Sequence, residues 1–320
     1  MSHRTENLIL EATCVLCCSH FKPDGDAIGS LLAMGWALDQ MGKAHTLACP
    51  SPVPPNLRFL PGWQRITQKL ASNYDYDLVI VLDTGSLRRL DHLRKEIEGL
   101  EAPILVIDHH VTNTCFGSVN WVEPEAAATA QMLFLLFQRL GLKLQETVAS
   151  YILTGIVTDT QGFRTSNTSQ ETMEIVGELL RAGASLAAIS DWALNRRSLS
   201  ALHLWAAVLP GVRCEEHIVW AEIPLSLRRA SGYPGGDDAD LVEFLSTVEE
   251  AQVAAIFYEC EDGMVKVSLR SRPGSDVAEV ARQLGGGGHV QAAGATMEGP
   301  LEAARKRVLA LLEQRLVDAG

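Results

Sequence analysis

The stretch HFKPDGDAIGS, residues His20–Ser30, decides how this chain is read. An apolar run, ATCVLCC (12–18), leads into it, and an apolar segment, AIGSLLAMGWAL (27–38), leads out. That is the pattern of a buried strand passing into a buried helix. His20, Asp24 and Asp26 stand at the mouth between the two. A single aspartate in such a place is usually an N-cap or a turn residue. Two carboxylates and an imidazole together ask for a further reason.

The same ending recurs along the first half. Asp83 closes the apolar run DLVIVLD (77–83), and Asp108, His109 and His110 close PILVIDHH (103–110). Asp159 follows an apolar helix in TGIVTDTQGF. Strands are expected at 13–19, 44–49, 77–83 and 103–108, with helices at 26–41, about 87–98, 125–140 and 145–158. Short, continuously apolar strands alternating with helices predict an open, doubly wound, mostly parallel α/β sheet. The carboxyl ends of such strands line one crevice, and ligands bind there. Topology alone therefore brings three of the clusters together, whereas Asp159 depends on tertiary structure. Carboxylates gathered without a cation would repel and take up protons. Oxygen and imidazole donors without thiolate suit manganese better than zinc. The charges of Asp24, Asp26, Asp83 and Asp159 balance two divalent ions, with His20 and His109 completing the shells.

A length of 320 residues points to two domains, and 47% hydrophobic residues supply ample core. No apolar run reaches the roughly 20 residues of a membrane span. Glu6 and Glu11 interrupt the apolar start, which makes a poor signal peptide, so a cytoplasmic protein is expected. The seven cysteines lie mainly in strand-like segments. The CxxCC pattern lacks a second pair, and in a strand Cys14 and Cys17 face opposite ways. A net charge of −12 argues against coating long nucleic acid, but allows a small anion at a metal-neutralised site.

From 168 to 208 the pattern is helical, and a new one begins near 211. Strands are expected at 217–223, 251–259 and 264–271, with EDG (261–263) as a hairpin turn and 231–240 as a loop. A helix over 300–317 closes the chain. The expected organisation is a catalytic domain over 1–190, a helical connector over 191–210 and a smaller α/β domain over 211–320. Arg270 and Arg272, two apart on a strand, are expected to share a face, as a phosphate or carboxylate end would require. The run GGGGH (285–289) brings backbone N–H groups of Gly287 and Gly288, and His289, to the same task. Trp192 and Trp205 read as packing, and His203 and His217 as residues without chemistry. Arg164 reads as structural at least as readily as a substrate contact. Arg88 and Arg89 fit a solvated helix end nearly as well as one.

HFKPDGDAIGS, VLDTGS, VIDHH and GIVTDTQGFRTSNT, in this order, resemble the four motifs of the DHH phosphoesterase family. VSLRSRPGSDVAEVARQLGGGGHVQAAGA resembles its DHH-associated C-terminal domain. The resemblance runs from about residue 8 to the end and is strongest to the subfamily acting on short oligonucleotides. It implies two divalent ions, manganese by preference. One would be held by His20, Asp24 and a bridging Asp83, the other by Asp26, Asp83, His109 and Asp159. His110 would face the phosphate as a catalytic group, with Asp108 orienting an imidazole. Gly25 would let the backbone turn between the two metals' aspartates, and Arg270, Arg272 and His289 would clamp the substrate's far end. The implied substrates are short RNA or DNA oligonucleotides, nanoRNA and dinucleotides among them, and 3′-phosphoadenosine 5′-phosphate. The alternatives are a RecJ-like single-strand exonuclease and a catalytically silent nucleotide-binding regulator. Every expected ligand is present, which disfavours the regulator. No membrane partner is expected, and a homodimer is left open.

Overall fold

Uninterrupted apolar runs have no polar face to turn to water, so they stack side by side and are covered on both faces. In the computed structural model, which describes residues 3–70 and 75–319, the first half of the chain does this. The strands β1 (Cys14–Cys18), β2 (Ala44–Ala48), β3 (Ile66–Thr67), β4 (Leu78–Leu82), β5 (Ile104–Asp108) and β6 (Val119–Val122) form one sheet, ordered β3-β2-β1-β4-β5-β6. Every neighbouring pair is parallel. Alternate residues go to opposite faces: Val15, Cys17, Ile80 and Leu82 join one apolar cluster, Leu16, Cys18, Val79 and Val81 another. Cys14 packs on the second cluster while Cys17 lies in the first, and all seven cysteines are free thiols.

The helices of this half are α1 (His3–Glu11), α2 (Gly25–Gln40), α3 (Leu93–Glu98), α4 (Thr129–Arg139), α5 (Glu146–Asp159), α6 (Gln170–Arg181) and α7 (Leu186–Ser190). The helix expected over 87–98 is divided into a 3₁₀ turn, Leu87–Leu90, and α3, because Asp91 turns left-handed between them with φ 47°. The helix expected from 125 begins only at Thr129, after an extended Ala128. The apolar pattern does not foresee α1, β3 or β6, which are short elements at the margins of the sheet. Among the described residues no helix is long and apolar enough to cross a membrane.

The chain divides into two units, Met1–Arg196 and Arg197–Gly320. The segment 191–210 is shared between them, and α8 (Leu199–Val208) packs Ala201, Leu204 and Val208 into the second unit's own core. That unit has a mixed sheet of β7 (Arg213–Glu215), β8 (Ile218–Ile223), β9 (Val253–Glu259), β10 (Met264–Ser271), β11 (Gly287–His289) and β12 (Ala292–Glu298), ordered β11-β12-β10-β9-β8-β7. Only β8 and β9 are parallel neighbours. Its remaining helices are α9 (Leu225–Ser231), α10 (Leu241–Leu245), α11 (Val277–Gln283) and α12 (Leu301–Ala319). Half of the glycine run, Gly287 and Gly288, is strand. A Cβ on Gly286 would lie 2.1 Å from the Gly294 carbonyl oxygen, and Gly288 has φ 143°, so β11 can approach β12 only as glycine.

In the first unit, α2 and α5 are packed against each other with almost no side chain between them. A Cβ on Gly25 would meet the Thr158 side chain at 2.3 Å, one on Gly29 the Tyr151 carbonyl oxygen at 2.4 Å, and one on Gly155 Ala130 and Asp26 at 2.5 Å. Bare glycines on both helices thus let α2 and α5 cross at backbone distance. Gly29→Ala gains up to about 1 kcal/mol of helix propensity, but overpacking against an immobile carbonyl costs about 1–3 kcal/mol. The variant is expected to melt several degrees lower in differential scanning calorimetry. An unchanged Tm would mean that the two helices have room for a methyl group between them.

Candidate metal centre

The strand order reverses direction at the β1/β4 boundary, and an open parallel sheet has its crevice at such a switch point. His20 lies two residues past β1, and Asp24 and Asp26 open α2. Asp83 follows β4 directly, and Asp108 ends β5 with His109 and His110 behind it. Asp159 is the last residue of α5, which the glycine crossing carries to the same place. His20, Asp26, Asp83, Asp108 and His109 are buried, whereas Asp24 is exposed.

Asp83 occupies the middle. Its backbone is left-handed, with φ 52°, a conformation few non-glycine residues adopt outside turns and functional sites. Its Oδ2 lies 3.4 Å from His20 Nε2, while its Oδ1 lies 3.6 Å from His109 Nε2 and 3.7 Å from His110 Nδ1. Oδ1 also accepts from Thr129 Oγ1 at 3.2 Å. The two oxygens of one carboxylate therefore face two different sets of donors. On the Oδ2 side, His20 Nε2 is 3.8 Å from Asp24 Oδ2. On the Oδ1 side, His109 Nε2 is 3.3 Å from Asp159 Oδ2 and 3.8 Å from Asp26 Oδ2.

The imidazoles are turned by what their other nitrogen meets. His109 Nδ1–H donates to the Ala126 carbonyl at 3.0 Å, which leaves Nε2 for the carboxylates. His20 Nδ1 lies 2.9 Å from the Phe21 carbonyl oxygen. Nδ1–H bonded to a carbonyl, with Nε2 presented inward, is the usual posture of a ligating histidine. His110 differs, since its Nδ1 is bonded to Asp108 at 2.7 Å, and Asp108 also accepts from Asn113. The two aspartates of the opening motif are caps as well. Asp24 Oδ1 accepts from the backbone N–H groups of Asp26 and Ala27, capping α2. Asp26 accepts from the N–H groups of Thr129 at 2.6 Å and Ala130 at 2.9 Å, and so caps α4 from a distance. Gly25 makes no turn between them: it is the first residue of α2, and its missing side chain makes room for Thr158.

Three groups in the first unit bring ligand atoms within 4.8 Å of one another: His20, Asp24 and Asp83; Asp26, Asp83 and His109; Asp83, Asp108 and His110. Asp83 belongs to all three. The crowding shifts the proton affinities of these groups. Burial, then Asp83, pushes the Asp26 carboxyl well above its usual range. Burial, with Asp24 and Asp83, raises Asp159 to about 6 against the pull of His109. Burial opposes charge on His109, but Asp159, Asp26 and Asp83 together hold it protonated up to about 9. At Asp83 burial is outweighed by the His20 hydrogen bond and the neighbouring imidazoles, and the carboxyl stays below its usual range. A divalent cation relieves this congestion, and the oxygen and imidazole donors fit a hard or borderline ion. Thiolate plays no part: Cys49 donates its thiol to the His20 carbonyl, and burial pushes its pKa up to about 12.

In the second unit, Arg270 pairs with Glu243 and donates to the Leu269 carbonyl. Arg272 falls just beyond β10 and donates to the carbonyls of Val248 and Glu249 at 2.9 and 3.2 Å. The two arginines are thus not a pair on one strand, because β10 ends at Ser271. Gly287, Gly288 and His289 form the edge strand β11. Trp192 stacks on Phe59, and Trp205 on Phe244, as packing residues do. Arg164 donates to the Gln161 carbonyl of its own loop. The sequence pattern misses Thr129, Ala130, Ala126 and Asn113, whose backbone or side-chain donors and acceptors orient the cluster from remote segments.

A doubly wound sheet with carboxylates and imidazoles gathered at its switch point is an arrangement that can hold divalent cations in a ligand crevice. Residues 14–156 match the DHH family, N-terminal domain, and residues 225–318 the DHHA1 domain. The chain is 38% identical over 304 residues to the bifunctional oligoribonuclease and PAP phosphatase NrnA of Thermus thermophilus, covering 94% of this chain and 90% of that protein. It is 28% identical over 298 residues to the protein of the same name in Bacillus subtilis, covering 92% of each. A crystal structure of an exopolyphosphatase-related protein from Bacteroides fragilis superposes with a TM-score of 0.86 at 27% identity, over 97% of this chain and 94% of that one. The chain belongs to the DHH family and is a phosphoesterase.

The titration pattern sets the pH dependence of cation binding. Asp159 is raised from 3.8 to about 6, so the metal-free fold loses stability as pH climbs through that window. His109 is raised from 6.5 to about 9, and its stabilising charge is lost as pH rises through the upper value. A cation competes with these protons, so binding strengthens with pH. Manganese chloride added to chelator-stripped protein is expected to raise Tm more at about pH 7.5 than at about pH 5.5. Equal increments in differential scanning fluorimetry would place the ion elsewhere.

Proposed function

We propose that this phosphoesterase uses two divalent ions, manganese by preference, to hydrolyse short oligonucleotides to mononucleotides, and 3′-phosphoadenosine 5′-phosphate to AMP. The observation that carries the reading is the position of Asp83, whose two oxygens address the His20–Asp24 pair and the Asp26–His109–Asp159 set separately. In this reading His20, Asp24 and Asp83 would hold one ion, and Asp26, Asp83, His109 and Asp159 would hold the other. Divalent ions so held supply Lewis acidity and lower the pKa of water. The full-length similarity to two proteins named as oligoribonucleases and PAP phosphatases supports the substrate class.

The chain's own residues do the rest. Burial opposes charge on His110, but its bond to Asp108 and the nearby Asp83 raise its pKa, which favours the protonated ring. A protonated imidazole beside the scissile phosphate neutralises developing charge and can protonate the leaving oxygen. Asp108, buried and bonded to both His110 and Asn113, fixes that ring. Arg270, Arg272, Gly287, Gly288 and His289 of the second unit are the proposed substrate-binding residues. Arg270 starts from an ion pair with Glu243 that is partly open to solvent, and such pairs are weak enough to exchange for a phosphate. The proposed setting is the cytoplasm, where the free cysteines stay reduced.

Asp83→Ala removes the shared ligand. It is expected to lower kcat by at least about a thousand-fold while the protein remains folded by circular dichroism. Calorimetry should also find weaker manganese binding. Near-normal turnover in manganese-replete buffer would overturn the bridging role.

Substrate length tests the wider reading. With a net charge of −12, long strands meet repulsion that salt screens. Oligonucleotides of about two to five residues are expected to be cut fastest, and a substrate of about 24 more slowly, with the gap narrowing at higher salt. Equal rates at low salt would favour a RecJ-like exonuclease instead.

A further inference from the structure

The outer nitrogen of His20 has two incompatible neighbours. Nδ1 lies 2.9 Å from the Phe21 carbonyl oxygen and 2.7 Å from Arg89 Nη2. In that direction an imidazole nitrogen presents either a hydrogen or a lone pair. With a lone pair, Nδ1 accepts from Arg89 and the ring hydrogen sits on Nε2, facing Asp83 Oδ2 at 3.4 Å. With a hydrogen, Nδ1 donates to Phe21, and the guanidinium meets N–H with N–H. A doubly protonated ring excludes Arg89 equally. His20 can ligate a cation through Nε2 only when Nε2 carries the lone pair, which puts the hydrogen on Nδ1 and breaks the contact with Arg89.

The guanidinium so released does not go far. The Arg89 carbonyl accepts from the Phe21 N–H at 2.7 Å, and its own N–H donates to Ser86 at 3.0 Å, so the backbone stays pinned beside the His20 segment. Arg89 is exposed, as is Asp24 on the other side of the ring. A phosphate approaching Asp24 and His20 therefore comes within reach of a mobile guanidinium, which matches phosphoryl oxygens in charge and geometry.

We propose that Arg89 is a substrate-binding residue: its guanidinium lies against His20 and, when His20 ligates a cation, is released to hold a phosphoryl oxygen of the substrate. This rests on the reading of His20 as a ligand. The test compares Arg89→Met, Arg89→Lys, His20→Ala and, as a charge-matched control, Arg88→Met. Manganese affinity is measured by calorimetry without substrate, and KM and kcat with a 5′-phosphorylated adenylate dinucleotide. Arg89→Met is expected to raise KM about ten-fold or more, with manganese affinity within about three-fold of the parent. Arg89→Lys should recover part of the loss, and Arg88→Met should behave as the parent. An unchanged KM in Arg89→Met, or a loss of manganese affinity in step with KM, overturns the proposal, the latter by showing that Arg89 merely props His20. Parental manganese affinity in His20→Ala would instead sink the ligand reading, and the proposal with it.

Discussion

A buried carboxylate between three imidazoles is the constraint around which the first unit is arranged. Asp83 is held in a left-handed backbone conformation at the end of β4, with one oxygen towards His20 and the other towards His109 and His110. A charge buried in this way is tolerable only when paired. The imidazoles supply that pairing, and they must be held in turn. The Ala126 carbonyl holds His109 and the Asp108 carboxylate holds His110, while His20 Nδ1 lies between the Phe21 carbonyl and Arg89. The centre is thus tied both to neighbouring residues and to the remote backbone of Ala126, which keeps its geometry stiff.

The stiffness depends on close helix packing. Asp26 reaches the N–H groups of Thr129 and Ala130 because α2, α4 and α5 meet where Gly155 offers no Cβ. The same crossing delivers Asp159 to His109 from the end of α5. Aspartates that cap helices are not thereby excluded from holding a cation. Asp24 caps α2 with one oxygen and turns the other to His20. Helix termini fix these carboxylates in place, and the favourable field at a helix N-terminus offsets part of the cost of gathering them.

The second unit follows a different economy. Its arginines are engaged with its own acceptors, Arg270 with Glu243 and Arg272 with two carbonyls. Its glycines serve a close strand approach, β11 upon β12. A chain with a net charge of −12 cannot draw polyanions by its overall field.

Apolar patterning alone was enough for the parallel sheet and the strand-end positions of Asp24, Asp26, Asp83, Asp108, His109 and His110. Alternation of apolar strands and helices dictates those, because a parallel strand needs a crossover helix and its carboxyl end must open onto the crevice. The pattern left open how Asp159 joins them, which oxygen of Asp83 meets which imidazole, and why Gly25 is glycine. It also put Arg272 on a strand that ends at Ser271. These were decided by contacts between residues far apart in the chain: Thr158 against Gly25, Ala130 on Asp26, Gly294 against Gly286. Periodicity records which face a residue takes within its own element. How closely two elements approach, and which donors they bring to a buried carboxylate, is set only when both are packed.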